Sequence, residues 1–180
     1  MTKQCLNPDF SLPEGIKKAS FSRLYSEAEL YKAALSVWTK PLFSWKRALV
    51  RSRDGGTLYE YAKKGHRNLA RLHRMLKKRE FIFDAGVRRT YNFHGKERTL
   101  FIFPWEERIV DTLLYRILNK YFHSVFSNRT YAYRFMGFGL DPCQHTLKRT
   151  IREWGTPLYF IKRDIKNCFP SLPHDGLFSM

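Results

Sequence analysis

Asp164 is the residue whose type and setting point most directly to chemistry. Leu158 to Ile161 form an apolar, aromatic run that reads as a buried strand. Lys162 and Arg163 follow, then Asp164; Phe169 stands five residues further on, and Pro170 ends regular structure. A carboxylate at the end of a core strand is held rigidly and faces a cleft. Such a group suits Mg²⁺, which takes hard oxygen ligands in an octahedron and shares them with substrate phosphates. Strand ends also carry polar residues for no chemical reason, so the aspartate by itself leaves both readings open.

A second set of residues is basic. The 180-residue chain carries 33 Lys and Arg against 16 Asp and Glu, a net charge of +17. Residues 41–100 hold 16 of the basic side chains and 5 of the acidic ones, interleaved with Trp, Tyr and Phe. That excess points to a polyanionic partner, and the aromatic rings between the charges suit stacking on nucleic-acid bases. The three cysteines, Cys5, Cys143 and Cys168, are widely spaced and form no Cys-x-x-Cys pair. This argues against a zinc site and agrees with a reducing, cytoplasmic setting. No apolar run reaches the length of a signal sequence or a membrane span.

Positioning these groups falls to a mixture of helices and one hairpin. Residues 1–20 are polar, with Pro8 and Pro13, and read as a loosely held arm. Leu30, Ala34, Leu35 and Trp38 recur at helical spacing, and Ser26 with Glu29 forms a capping-box pattern. Phe43 to Val50 reads as a short amphipathic helix, broken at Asp54-Gly55-Gly56. Leu58 to Lys78 reads as one helical region with Leu69, Leu72, Met75 and Leu76 as its apolar stripe. Arg67, Arg71, Arg74, Lys77 and Lys78 lie largely off that stripe, as a solvated face or a contact for backbone phosphates.

Val87 to Phe93 and Arg98 to Phe103 read as strands joined through His94-Gly95-Lys96-Glu97. Val87, Arg89, Tyr91 and Phe93 share one face and Arg88, Thr90 and Asn92 the other, so this is a basic hairpin able to reach over a bound polyanion. Pro104 to Glu107 opens a strong helix whose Ile109, Val110, Leu113, Leu114, Ile117, Leu118, Tyr121 and Phe122 are expected in the core. Tyr131, Tyr133 and Arg134 precede a Gly-x-Gly loop, which by itself reads as a turn. Asp141-Pro142 then reads as a helix start, with Leu147, Ile151 and Trp154 as the buried face and Gly155 as the stop.

Three of these segments, in this order, resemble prokaryotic reverse transcriptases of the group II intron, retron, diversity-generating and phage-defence kinds. The run KERTLFIFPWEERIV from Lys96 to Val110 resembles a segment of that family with a Lys-x-Arg-x-Leu pattern. NRTYAYRFMGFG, from Asn128 to Gly139, resembles its aromatic-Arg fingers motif, although Phe135, Met136 and Phe138 replace the usual Pro, Lys or basic residue and favour stacking or core packing. Strand, Asp164, four residues and Phe169 resemble its first catalytic motif.

The resemblance implies an α+β fold: residues 1–42 as an N-terminal arm and helix, 43–157 as fingers with the basic hairpin, and 158–180 as the start of a palm. It implies an RNA-directed DNA polymerase that extends a primer on an RNA template, or holds an RNA–DNA hybrid, using dNTPs and two Mg²⁺ ions. Asp164 and the Ile165 carbonyl are the implied metal ligands. Lys96 and Arg98 are the implied triphosphate contacts, with Arg88 or Arg89 as another source of charge. Phe169 is the implied gate beneath the sugar. Arg71, Arg74, Arg88, Arg89, Tyr131, Tyr133 and Arg134 are the candidates for nucleic-acid contact. The family's other two aspartates lie in a downstream Tyr/Phe-x-Asp-Asp hairpin that these 180 residues do not contain; the only later acid is Asp175. The expectation is therefore part of a longer polymerase, inactive alone. Two other readings stand beside it: a non-catalytic RNA-binding module, and a defence enzyme with untemplated or self-templated synthesis.

Overall fold

The computed structural model describes residues 24–134, 137–155, 159 and 161–164. They fall into two compact units that divide between Thr130 and Tyr131. The architecture is α+β: among the described residues, five α-helices and one two-stranded antiparallel sheet.

In the first unit, α1 (Glu27–Thr39) starts where Ser26 adopts an extended backbone and its hydroxyl accepts the Glu29 N–H at 3.3 Å. The expected capping box is half realised. The Glu29 carboxylate turns instead to Lys32 at 3.0 Å and Arg116 at 3.5 Å. After a 3-10 turn, Ser44–Ala48, the chain reverses at Asp54-Gly55, where Gly55 takes φ +86°. Thr57 then caps α2 (Leu58–Lys63) with a complete capping box: its N–H and hydroxyl bond the Glu60 carboxylate, and its hydroxyl accepts the Glu60 N–H. The single helix expected from Leu58 to Lys78 is therefore two. Lys64, at φ −109° and ψ 22°, leaves helical geometry, and α3 (Gly65–Lys78) restarts at the following glycine.

Strands β1 (Val87–Phe93) and β2 (Lys96–Ile102) form the hairpin, and α4 (Trp105–Phe122) follows directly. The core lies where α1 packs along α4 and α3 closes beside them. Leu30, Ala33 and Val37 from α1 meet Leu72 and Leu76 from α3 and Trp105, Ile109, Val110, Leu113 and Ile117 from α4. The expected stripe of α4 is realised at buried Ile109, Val110, Leu113 and Ile117 and at Leu114 and Tyr121, which pack partly buried against the core, whereas Phe122 is only half-buried. Leu118 is 51% exposed, whereas Asn119 is buried.

The second unit contains α5 (Leu140–Trp154), which starts one residue before the expected cap, with Gly139 in the cap position. Its apolar stripe is not buried: Leu147 and Ile151 are each 42% exposed and Trp154 more so. Periodicity reports a two-faced helix, but burial also needs a second surface to cover the apolar face. The strand expected at Leu158–Ile161 is partly outside the described residues. Its described members, Tyr159 and Ile161, are irregular and exposed. A strand is defined by what it pairs with, and among the described residues the one sheet is the hairpin.

Candidate nucleic-acid interface

The hairpin is tighter than its sequence reads. Its turn is the two residues His94 and Gly95, both at positive φ, +50° and +77°. This handedness matches the right-handed twist of the flanking strands. Lys96 therefore lies in β2, opposite Phe93, rather than in a four-residue loop. The register then sets Arg98 opposite Tyr91, Arg89 opposite Leu100 and Val87 opposite Ile102.

Directly opposed residues share a face in an antiparallel pair. One face consequently carries Arg89, Lys96 and Arg98 together with Tyr91 and Phe93, whose ring centroids lie 6.0 Å apart. Arg88 falls on the other face, with Phe101, Thr90, Thr99, Asn92 and Glu97. Every residue of both strands is exposed except Ile102, which is half-buried. Three cations and two aromatic rings thus stand on an open surface. That combination offers charge-assisted hydrogen bonds to phosphate and flat faces to bases.

The root of the hairpin is fixed on three sides. Gly86 lies against the Phe103 ring so closely that an added Cβ would stand 2.7 Å from Cε1. The Arg53 N–H donates to the Phe103 carbonyl at 3.4 Å, and the Arg53 guanidinium pairs with the Asp84 carboxylate. The Asp84 N–H in turn donates to the buried Glu107 carboxylate. Trp105 Nε1 donates to the Gly56 carbonyl at 3.1 Å, tying the start of α4 to the same turn. Burial raises the Glu107 carboxyl above its ordinary value and neighbouring Asp111 adds to this, while Arg53 opposes it. Sequence reading missed this cluster, because a glutamate in a first helical turn ordinarily reads as solvated and dipole-stabilised.

The other candidate residues are placed as follows. On α3, Arg71 is engaged by Glu106 at 2.8 Å, while Arg74 is exposed. In the second unit, the Tyr131 hydroxyl lies 2.9 Å from the Thr146 hydroxyl, its ring lies 6.0 Å from that of Phe138, and the Arg134 guanidinium sits 3.5 Å over Phe138. Those two side chains gather about Phe138, whereas Tyr133, at φ +56°, projects to solvent. Asp164 is exposed on irregular backbone beside exposed Lys162 and Arg163. Ile165 and Phe169 lie outside the described residues. Among the described residues no three His, Cys, Asp or Glu side chains gather as a metal site, and no helix is long and apolar enough to cross a membrane.

No protein-family model matches the chain, and no curated protein is significantly similar to it.

Proposed function

We propose that this chain forms the fingers and the first catalytic motif of an RNA-directed DNA polymerase, acting with the remainder of that polymerase. The observation that carries the reading is the hairpin register, which collects Arg89, Lys96 and Arg98 with Tyr91 and Phe93 on one exposed face. Guanidinium forks and an ammonium on that face suit the oxygens of a dNTP triphosphate or of the template backbone. The rings beside them suit a base. The hairpin is anchored at its root and open along its length, so this face is presented as a unit.

Asp164 offers one hard-oxygen donor, and the Ile165 carbonyl is the second donor in the proposal. Two donors are too few for Mg²⁺, so the proposal includes carboxylates from further palm residues. Bound Mg²⁺ supplies positive charge at the triphosphate and the attacking oxygen. Phe169, a few residues beyond the metal-binding carboxylate, lies beneath the sugar in this reading and selects deoxyribonucleotides by steric exclusion of a hydroxyl.

The test is binding of an RNA–DNA hybrid by the chain over a series of salt concentrations. Affinity is expected to fall steeply and linearly on logarithmic axes. A flat dependence, or no binding at low salt by folded protein, would sink the reading. In the complete polymerase, Asp164→Asn should abolish synthesis in Mg²⁺ with RNA binding retained. Retained synthesis would remove Asp164 from the metal site. Hybrid binding without any dNTP-dependent synthesis by the complete protein would reassign the chain to a non-catalytic RNA-binding module.

A further inference from the structure

The segment between α1 and α2 exposes apolar surface that the core does not use. Leu42 and Leu49 are exposed, as are Phe43 (50%) and Trp45 (58%). The two rings are nearly parallel, 15° apart with centroids separated by 6.1 Å. Lys46 Nζ stands over both, 5.2 Å from the Phe43 ring and 5.7 Å from the Trp45 ring. Behind them the turn is held to α1: Arg47 Nε donates to the Trp38 carbonyl at 2.9 Å, and its guanidinium covers the Trp38 ring at 4.6 Å. The turn is thus tied to α1 through Arg47, while the aromatic pair stays about half exposed with the Lys46 ammonium over its rings.

Beside it opens a cleft of about 280 Å³ whose lining includes Lys40, Lys46 and Arg108, together with Leu42 and Trp105. Among the described residues no carboxylate lines it. Arg108 lies with its guanidinium 4.7 Å over the Trp105 ring, which holds it at the cleft wall. Residues 40–53 contain five basic side chains and no acidic one. An exposed aromatic pair alone would be equally at home against a protein partner. The three cations at its side favour a ligand that is flat and apolar at one end and anionic at the other. A nucleobase with its phosphate has that form.

We propose that the Phe43–Trp45 pair is a stacking platform for one base of a single-stranded nucleic acid, with the adjoining phosphate held in the Lys40–Lys46–Arg108 cleft. A duplex keeps its base faces stacked on one another, so the platform selects single strands. This site is separate from the hairpin face and does not rest on the polymerase reading.

The test uses the full chain with Arg89, Lys96 and Arg98 all changed to alanine, so that the hairpin face does not contribute. Its affinities for a short oligoadenylate and for inorganic polyphosphate of matched charge are measured by titration. Trp45→Ala and Phe43→Ala should each weaken oligoadenylate binding about tenfold and leave polyphosphate binding unchanged. Trp45→Phe keeps a ring and should bind oligoadenylate close to the parent. Lys46→Gln should weaken both ligands. Circular dichroism checks that each variant is folded. Equal losses on both ligands for Trp45→Ala, unchanged oligoadenylate binding, or a Trp45→Phe variant as weak as Trp45→Ala would overturn the platform. Failure of the hairpin reading would leave this comparison intact, since the hairpin charges are absent throughout.

Discussion

The Glu107 carboxylate accepts the backbone N–H of Asp84, joining the first turn of α4 to the segment that leads into the hairpin. The same segment is held from its other side by Arg53, which pairs with the Asp84 side chain. A buried acid therefore serves as the acceptor for a backbone group at the hairpin root. Its carboxyl is raised by burial and by Asp111. A carboxyl raised in the folded state binds its proton more tightly there than in the unfolded chain. Its ionisation costs stability as pH rises from the ordinary glutamate value through the higher folded value. Glu107→Gln keeps an acceptor oxygen and removes the titration. The difference in melting temperature, parent minus variant, should become more negative as pH rises through that window. A difference independent of pH would show that Glu107 titrates as an ordinary glutamate.

Glu60 carries the opposite sign. The Thr57 N–H and hydroxyl hold its carboxyl below the ordinary range, as Lys32 chiefly does for Glu29. These groups contribute stability above the unfolded carboxylate value, and that stability is lost as pH falls through their lower folded values. Thr57→Ala should lower the melting temperature at neutral pH and shrink its decline in acid. Thr57→Ser should preserve both, since it keeps the hydroxyl.

The hairpin register makes Arg88 and Arg89 unequal. Arg89→Ala should weaken binding of a nucleoside triphosphate or RNA–DNA hybrid by about tenfold, the scale of a lost charge-assisted hydrogen bond. Arg88→Ala, on the other face, should change it much less. Removing a cation that contacts a phosphate should also reduce the salt slope by about 1. Equal losses for the two arginines would mean that the charge is read without regard to face.

Gly86 should not accept a side chain while Phe103 keeps its position. Gly86→Ala should destabilise by about 1–3 kcal/mol, the usual range for overpacking. Phe103→Leu in the same chain should recover part of that loss, because the contact is with the far side of the ring. Double-mutant coupling measured by denaturant unfolding checks this, and strict additivity would place the strain elsewhere.

Leu113 and Leu118 look alike in the heptad-like run of α4 but differ in setting. Leu113 is fully buried, whereas half of Leu118 faces solvent. Leu113→Ala should cost about 2–5 kcal/mol, and Leu118→Ala well under half as much. Comparable losses in denaturant unfolding would put Leu118 in contact with something that covers it.

Much of this was legible in the sequence, and what was not has physical reasons. The span of α4 follows from its apolar period, and the hairpin from alternating residues about a glycine. The sequence pattern places Lys96 in a loop, because His-Gly-Lys-Glu reads as four polar residues. The left-handed backbone of His94 is what shortens the turn, and a histidine gives only a weak signal for it. The faces survive that correction, since the register shifts by an even number of residues. What changes is that Arg98 moves opposite Tyr91 and Lys96 joins the strand. The break at Lys64 is marked only by the neighbouring Gly65. The burial of Glu107, and the exposure of Leu147 and Ile151, depend on what packs against them, which local pattern does not encode.

Each strand of the hairpin has an outer edge that pairs with nothing among the described residues. Such an edge is a template on which another chain can add a strand, and Tyr91, Phe93, Leu100 and Phe101 make this one sticky. Charged side chains placed along an edge are a common defence against such addition, because neighbouring copies repel before their backbones meet. Arg88, Arg89, Lys96 and Arg98 occupy those positions. By that argument these cations disfavour edge-to-edge pairing between copies of the chain. A bound polyanion would neutralise that repulsion while covering the surface it guards.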